Sequence, residues 1–336
     1  MSSTHTSMKT QDQPTISIIG KGAVGTALAD QCTAKGIEVC FVRMQGLPLQ
    51  RLRSQEQQSQ ASQSHRSLPQ ASPTEHSMES WFNALTDHKP HQHWVILTVP
   101  DDVVIPTVDR IQSTWQSIRQ EPISSVMDAI VHTSGGRSSE DFQHFQGQGV
   151  LTASMHPIQT FHKSVNEKGQ SQKSLEQVNP FASINITLEG DTLLLSKLAH
   201  FCQDILDAQP LKVTRTQKQQ IHAAAVLASN CLFPNLSLAS RFLQDAGLSP
   251  TLLEPLASQT VKVALHQGLA AISGPVARLD RQTIRRNMDV LGSHSTAKQR
   301  YIEESIYLLN QLLETGHFEG KHDQAQALLK MLHDER

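Results

Sequence analysis

The run Ile16-Ser17-Ile18-Ile19-Gly20-Lys21-Gly22-Ala23-Val24-Gly25 decides how this chain is read. A short strand-forming segment leads straight into a G-x-G-x-x-G string. The residues from about Val24 to Lys35 carry a helical pattern that Gly36 ends, and Glu38-Val39-Cys40-Phe41-Val42 reads as the next strand. A glycine string alone is a weak signal; between a strand and a helix, opening a β-α-β unit, it is the context that dinucleotide binding needs. The first glycine permits the tight turn, the second lets the backbone approach a pyrophosphate, and the third lets the helix pack on the strand. Amides at the helix N-terminus then receive the phosphate charge. Gly20, Lys21, Gly22, Ala23, Val24 and Gly25 are the expected contacts.

The end of the second strand reports on the ribose. An acid there would bind the 2′-hydroxyl of NAD, but the strand ends Val42-Arg43-Met44. A guanidinium in that place can meet a 2′-phosphate bidentately. NADP is therefore expected over NAD, with Arg43 as the discriminating residue and Arg51 and Arg53 as helpers if their loop folds back.

Farther along, Trp94-Val95-Ile96-Leu97-Thr98-Val99 is an almost wholly apolar strand stopped by Pro100, as in parallel sheets covered on both faces. Segments 125–131, 150–154, 182–188 and 212–213 continue the series, with a helix over 192–206. The alternation predicts a doubly wound, Rossmann-like α/β domain over 15–213. No strand signal follows Val213, so 214–336 is expected to be an all-α domain. Its helices are read from Thr214 to Ala246 with a kink at Pro234, from Ser249, from an Asp280 N-cap to about Leu291, from Ser295 to Thr315, and over 324–333.

Composition bounds the rest. With 336 residues the chain suits two domains. Lys and Arg number 29 against 31 Asp and Glu, a formal charge of -2, which argues against nucleic acid or an anionic membrane as partner. No apolar run approaches the ~20 residues of a membrane span, and residues 1–14 read as a disordered tail without a signal-peptide core. Apolar residues are a lean 38 % because Gln and Ser collect in 54–78, read as a mobile surface insertion, and in a weaker polar stretch over 163–178. Cys32, Cys40, Cys202 and Cys231 show no paired spacing, which fits a cytoplasmic protein with reduced thiols. No metal-ligand spacing appears among the histidines.

Several turns carry the candidate chemistry. Val99 and Pro100 should wall the nicotinamide ribose, and Asp101 and Asp102 suit the first turn of the helix that follows. Ligands of open α/β sheets bind outside the carboxyl ends of the strands. That places Ile130-Val131-His132-Thr133-Ser134-Gly135-Gly136 and Ser154-Met155-His156-Pro157 at the reactive end of the cofactor. A histidine there can pass a proton near neutral pH. In the helical part, Lys218, His222, Ser229 and Asn230 fall close to one face and need partners or a cleft. Arg278 could bind a substrate carboxylate or phosphate, or pair with Asp280.

In chain order these segments resemble a bacterial family that joins a Rossmann-like domain to a helical domain of unassigned function, similar to pyrroline-5-carboxylate reductase and NADP-dependent oxidoreductases. The resemblance rests on I-I-G-K-G-A-V-G-T-A-L-A at 18–29, V-P-D at 99–101, H-T-S-G at 132–135 and S-M-H-P-I-Q-T-F at 154–161. It continues in H-A-A-A-V-L-A-S-N at 222–230 and G-P-V-A-R at 274–278. It implies an all-α, 6-phosphogluconate-dehydrogenase-like C-terminal domain that builds a homodimer, with the active cleft between the domains. Ser134 and His156 look like the serine and H-P turns of prephenate dehydrogenases. The long helix looks like that of β-hydroxyacid dehydrogenases, but four residues beyond Lys218 stands His222 rather than asparagine. The family also usually has glycine where this chain has Leu279.

The expected activity is hydride transfer between NADP(H) and a small anionic substrate. His156 or His222 would move the proton, Ser134 and Asn230 would orient the reacting atom, and Ser229 and Arg278 would bind substrate. The alternatives are an NADP-binding sensor without turnover and, by fold analogy, a deazaflavin as hydride partner.

Overall fold

The computed structural model describes residues 13–44, 73–161, 179–292 and 294–336. They form two compact units that divide between Leu227 and Ala228. The first is built on strands β1 (Thr15–Ile19), β2 (Val39–Arg43), β3 (Thr74–Ser77), β4 (His93–Leu97), β5 (Ala129–His132), β6 (Leu151–Pro157), β7 (Asn185–Gly190) and β8 (Gln209–Lys212). Their order in the sheet is β3-β2-β1-β4-β5-β6-β7-β8. Every neighbouring pair is parallel except β6 and β7. Strand order reverses between β1 and β4, the doubly wound arrangement whose crevice lies at the carboxyl ends of the strands.

Helices α1 (Ala23–Ala34), α2 (Met78–Asp87), α3 (Asp101–Ile118), α4 (Gln143–Gln146), α5 (Thr192–His200) and α6 (Arg215–Ala228) complete this unit. The apolar strands serve both faces at once. Trp94 and Ile96 of β4 enter one buried cluster with Ile16, Ile18 and Val131, while Val95 and Leu97 enter the other with Ile19 and Ile130. Alternation within a continuous apolar run is what burial on both faces requires.

Several expectations change. Thr74–Ser77, inside the stretch read as a mobile insertion, is the edge strand β3, and Met78 opens α2. An edge strand pairs through its backbone on one side only, so Thr-Glu-His-Ser can hold it without an apolar pattern. The remainder of that stretch, 54–72, lies outside the described residues, as do 1–12, Arg51, Arg53 and 163–178. Residues 123–125 form a 3-10 turn rather than the start of β5. The division between units falls at the last residue of α6 rather than before that helix at 213; Lys218 ties α6 to the loop after β5.

The second unit contains α7 (Leu232–Asp245), α8 (Glu254–Gln267), α9 (Arg281–Leu291), α10 (Ser295–Glu314) and α11 (His322–Asp334). Ile284, Met288, Ile302, Leu309, Leu312 and Leu328 make its core. Asp280 caps α9 as read, accepting from the Thr283 amide at 3.0 Å. The expected kink at Pro234 is instead a break at residues 229–231, and Pro234 sits in the first turn of α7. A first-turn residue has no intrahelical partner for its N–H, so proline costs nothing there.

Candidate functional site

The glycine turn between β1 and α1 is closed on one side and open on the other. Gly20 has φ +115°, and a Cβ on it would lie 2.6 Å from the Thr98 carbonyl oxygen. A Cβ on Gly25 would lie 2.1 Å from the Gly20 oxygen. Thr98 at the end of β4 locks the turn, its hydroxyl donating to the Gly20 carbonyl at 2.6 Å. A Cβ on Gly22, by contrast, would meet nothing within 4 Å among the described residues, and none of their side chains caps α1 at that end. The cradle fits a pyrophosphate: an open glycine backbone at an uncapped helix N-terminus.

At the end of β2, Arg43 and the neighbouring Lys21 both form ion pairs with Glu75 of β3. Hydrogen bonds from Lys21 and Arg43 hold the Glu75 carboxyl below the usual carboxylate range. Sequence reasoning missed Glu75, since a single acid in a polar stretch carries no signal of what faces it.

The turns after β5 and β6 converge. Lys218 of α6 is only 2 % exposed. Its ammonium donates to the carbonyls of Ser134 at 2.8 Å and Gly135 at 3.0 Å, and to that of Arg137. Glu189 of β7 holds the same loop from its other polarity, accepting from the Ser139 amide at 2.9 Å, the Ser139 hydroxyl at 2.8 Å and the Ser138 hydroxyl at 3.2 Å. Acid takes the donors and lysine takes the acceptors. Burial lowers the Lys218 pKa to about 8, with Glu189, Asp101 and Asp141 opposing the drop, so it stays protonated at pH 7.

Within that clamped loop, Gly135 separates two imidazoles. A Cβ on it would lie 2.3 Å from Nδ1 of His222 and 2.7 Å from Nε2 of His156, so a side chain there would push a ring aside. The two rings stand 5.7 Å apart, edge to face. Nδ1 of His156 lies 3.0 Å from the Thr133 carbonyl. A carbonyl only accepts, so Nδ1 carries the proton and Nε2 keeps its lone pair. Burial lowers the His156 pKa; the Thr133 carbonyl opposes this, while the Lys218 and His222 charges add to it. Asp101, read only as a helix-start charge, brings Oδ2 within 3.0 Å of a Cβ built on Gly136.

The structure thus brings together His156, His222, Ser134 and Lys218. Ser134 is buried, its Oγ accepting from the Arg137 amide at 3.1 Å. Val99 packs against the cluster around Val104, and Pro100 precedes α3 with Asp101 and Asp102 in its first turn. His132 is fully buried, edge-on to Phe142, and burial pushes its pKa down to about 3, the behaviour of a core residue. Ser229, Asn230 and Arg278 belong to the second unit. The Ser229 hydroxyl donates to Asn230 Oδ1 at 3.0 Å, and Arg278 lines a shallow depression with His317 and Lys321. Beside it Leu279 has φ +57°, the left-handed conformation that glycine adopts freely.

Residues 184–307 match the model of a domain of unknown function, DUF2520. The match runs from just before β7 into α10 and fits the resemblance carried by the motifs. A search of curated proteins found no match. Among solved structures the fold is similar to that of a Bacteroides fragilis protein provisionally assigned as an NADP oxidoreductase (18 % identity, TM-score 0.59, 89 % of this chain and 99 % of that one). A Thermotoga maritima protein is likewise similar (18 %, TM-score 0.52, 89 % and 98 %). So is an Aspergillus terreus reductive aminase in complex with NADPH and ethyl levulinate (13 %, TM-score 0.57, 95 % and 99 %). At these identities the likeness is one of fold: a Rossmann-like domain followed by a helical one.

Proposed function

We propose that this chain, whose residues 184–307 match DUF2520, is an NADP(H)-dependent oxidoreductase acting on a small anionic substrate. The observation that carries the reading is the pair His156 and His222 held across Gly135 at the carboxyl edge of the sheet that also bears the glycine cradle. NADPH in the A. terreus aminase complex supports the cofactor. When bound, the cofactor supplies the hydride. The chain's own residues position and protonate: Gly20 to Gly25 hold the pyrophosphate, Arg43 meets the 2′-phosphate, and Val99 and Pro100 wall the ribose. His156 or His222 moves the proton, with Ser134 orienting the reacting atom.

NADPH should bind more tightly than NADH by about tenfold or more, the worth of a charge-assisted contact. Arg43→Glu should abolish or reverse that order in titration calorimetry. Equal wild-type affinities would remove the assignment of Arg43.

The same reading includes a homodimer made through the helical unit and a cytoplasmic location. Among the described residues neither α7 nor α8 buries a side chain, and Phe233, Leu256 and Leu265 are 66–72 % exposed. Apolar area of this kind marks an interaction surface. The stretch Arg215–Asp245 is long and apolar enough to cross a membrane by length and composition, contrary to the expectation from the sequence. Its break at 229–231 and the attachment of Lys218 to the sheet's loops favour a covered protein surface. Analytical ultracentrifugation should give a dimer that Phe233→Glu with Leu265→Glu converts to monomer; a monomeric wild type would contradict this. The four thiols are unpaired, which suits the cytoplasm.

A further inference from the structure

Glu75 stands where the proposed cofactor would bring its own anion. In the parallel pairing of β2 with β3, Glu75 lies opposite Phe41 and Ser77 opposite Arg43. Residues two apart on a strand share a face, so Phe41, Arg43 and Glu75 lie on one side of the sheet edge. Lys21 reaches that side from the glycine turn, 5.4 Å from the centre of the Phe41 ring. Its ammonium and the Arg43 guanidinium converge on the single carboxylate of Glu75. The acid is the most covered of the three, with its side chain 23 % exposed against 60 % for Lys21 and 71 % for Arg43. Two cations meeting on one carboxylate is the arrangement that a sugar 2′-phosphate would adopt with the same donors.

We propose that Glu75 sets the cofactor preference: it holds Lys21 and Arg43 in the phosphate's stead, competes with the 2′-phosphate of NADP(H), and offers the 2′-hydroxyl of NAD(H) the acceptor that the end of β2 lacks. The inference rests on reading Gly20 to Arg43 as a nucleotide site. Charge gives the direction. Two cations and one carboxylate leave a local charge of one positive unit to meet a phosphate of about two negative ones. With Glu75 neutralised, both cations face the phosphate alone. The same change removes an anionic acceptor from the ribose hydroxyls, so the two cofactors respond in opposite senses. Arg43 provides the attraction for NADP, and Glu75 moderates it.

The test is equilibrium binding of NADPH and of NADH, by titration calorimetry at low salt, to the wild-type chain, Glu75→Gln and Glu75→Asp. Glu75→Gln is expected to tighten NADPH by about fivefold, as for one partly exposed charge, and to weaken NADH. The tightening should shrink as salt screens it. Glu75→Asp keeps the charge and should stay on the wild-type side of the glutamine variant. If Glu75→Gln weakens NADPH, the acid arranges the cations rather than opposing the phosphate, and the proposal is overturned. Unchanged affinities for both cofactors overturn it too. A wild-type chain that binds neither cofactor removes the nucleotide site itself, and this inference with it.

Discussion

Replacing His156 by alanine should lower turnover with NADPH by about 10²- to 10⁴-fold, the range of a positioned proton-transfer group, with NADPH affinity unchanged. The Thr133 carbonyl fixes the Nδ1 proton, which leaves Nε2 as the atom that takes up or delivers a proton, beside Gly135 and facing the His222 ring. The pH dependence follows from the direction of the shift. Burial first, and then the Lys218 and His222 charges, hold His156 below its ordinary value of 6.5. In the reductive direction the donor must be protonated, so the rate should rise as pH falls toward a limb below 6.5. In the oxidative direction neutral imidazole is needed, and the rate should fall through the same limb. His222→Ala should cost turnover as well. Turnover that survives both changes would remove the histidines from the mechanism.

Lys218→Met should destabilise the first unit by about 3 kcal/mol or more, read from chemical unfolding. Three carbonyls lose their donor, at about 1 kcal/mol or more for each buried acceptor left unpaired. Lys218→Arg should not rescue it, because a planar guanidinium cannot replace a compact ammonium among three converging oxygens. Lys218 acts as a positioning residue through the loop that holds Ser134 and Gly135, so its loss should lower kcat more than it raises KM for the cofactor. Its titration gives a second readout. Above about 8 the amine keeps two protons for three carbonyls, and turnover should decline. Global stability should move the other way. The unfolded lysine titrates near 10.5, so between these values the unfolded chain holds more protons and stability rises with pH. Parallel rather than opposite slopes would contradict the clamp.

The doubly wound unit was legible because its central strands are apolar on both faces and its glycine turn is punctuated by residues the backbone requires. β3 was not, since Thr-Glu-His-Ser is held by backbone pairing to β2, which leaves no periodicity. The His156 turn could be placed because topology puts the carboxyl ends of β1 to β6 on one edge. Its neighbours Glu189 and Lys218 belong to elements far along the chain, and only tertiary packing shows that both grip residues 134–139. The same holds for Glu75, whose meaning lies in facing Lys21 and Arg43. Leu279 was noted as a departure from glycine, and its positive φ is the conformation that a glycine would adopt more freely. The helical unit was readable from caps such as Asp280, while the break before α7 was mistaken for a proline kink because helical pattern continues on both sides of it.

The central claim is that this chain transfers a hydride between NADP(H) and a small substrate. The most direct measurement follows the absorbance of NADPH with a panel of imines, keto acids and 2-oxo acids. Substrate-dependent oxidation by the wild-type chain, lost in both His156→Ala and His222→Ala, is the predicted result. Tight binding of NADPH with no oxidation by any member of the panel would contradict the account and favour a nucleotide-binding sensor.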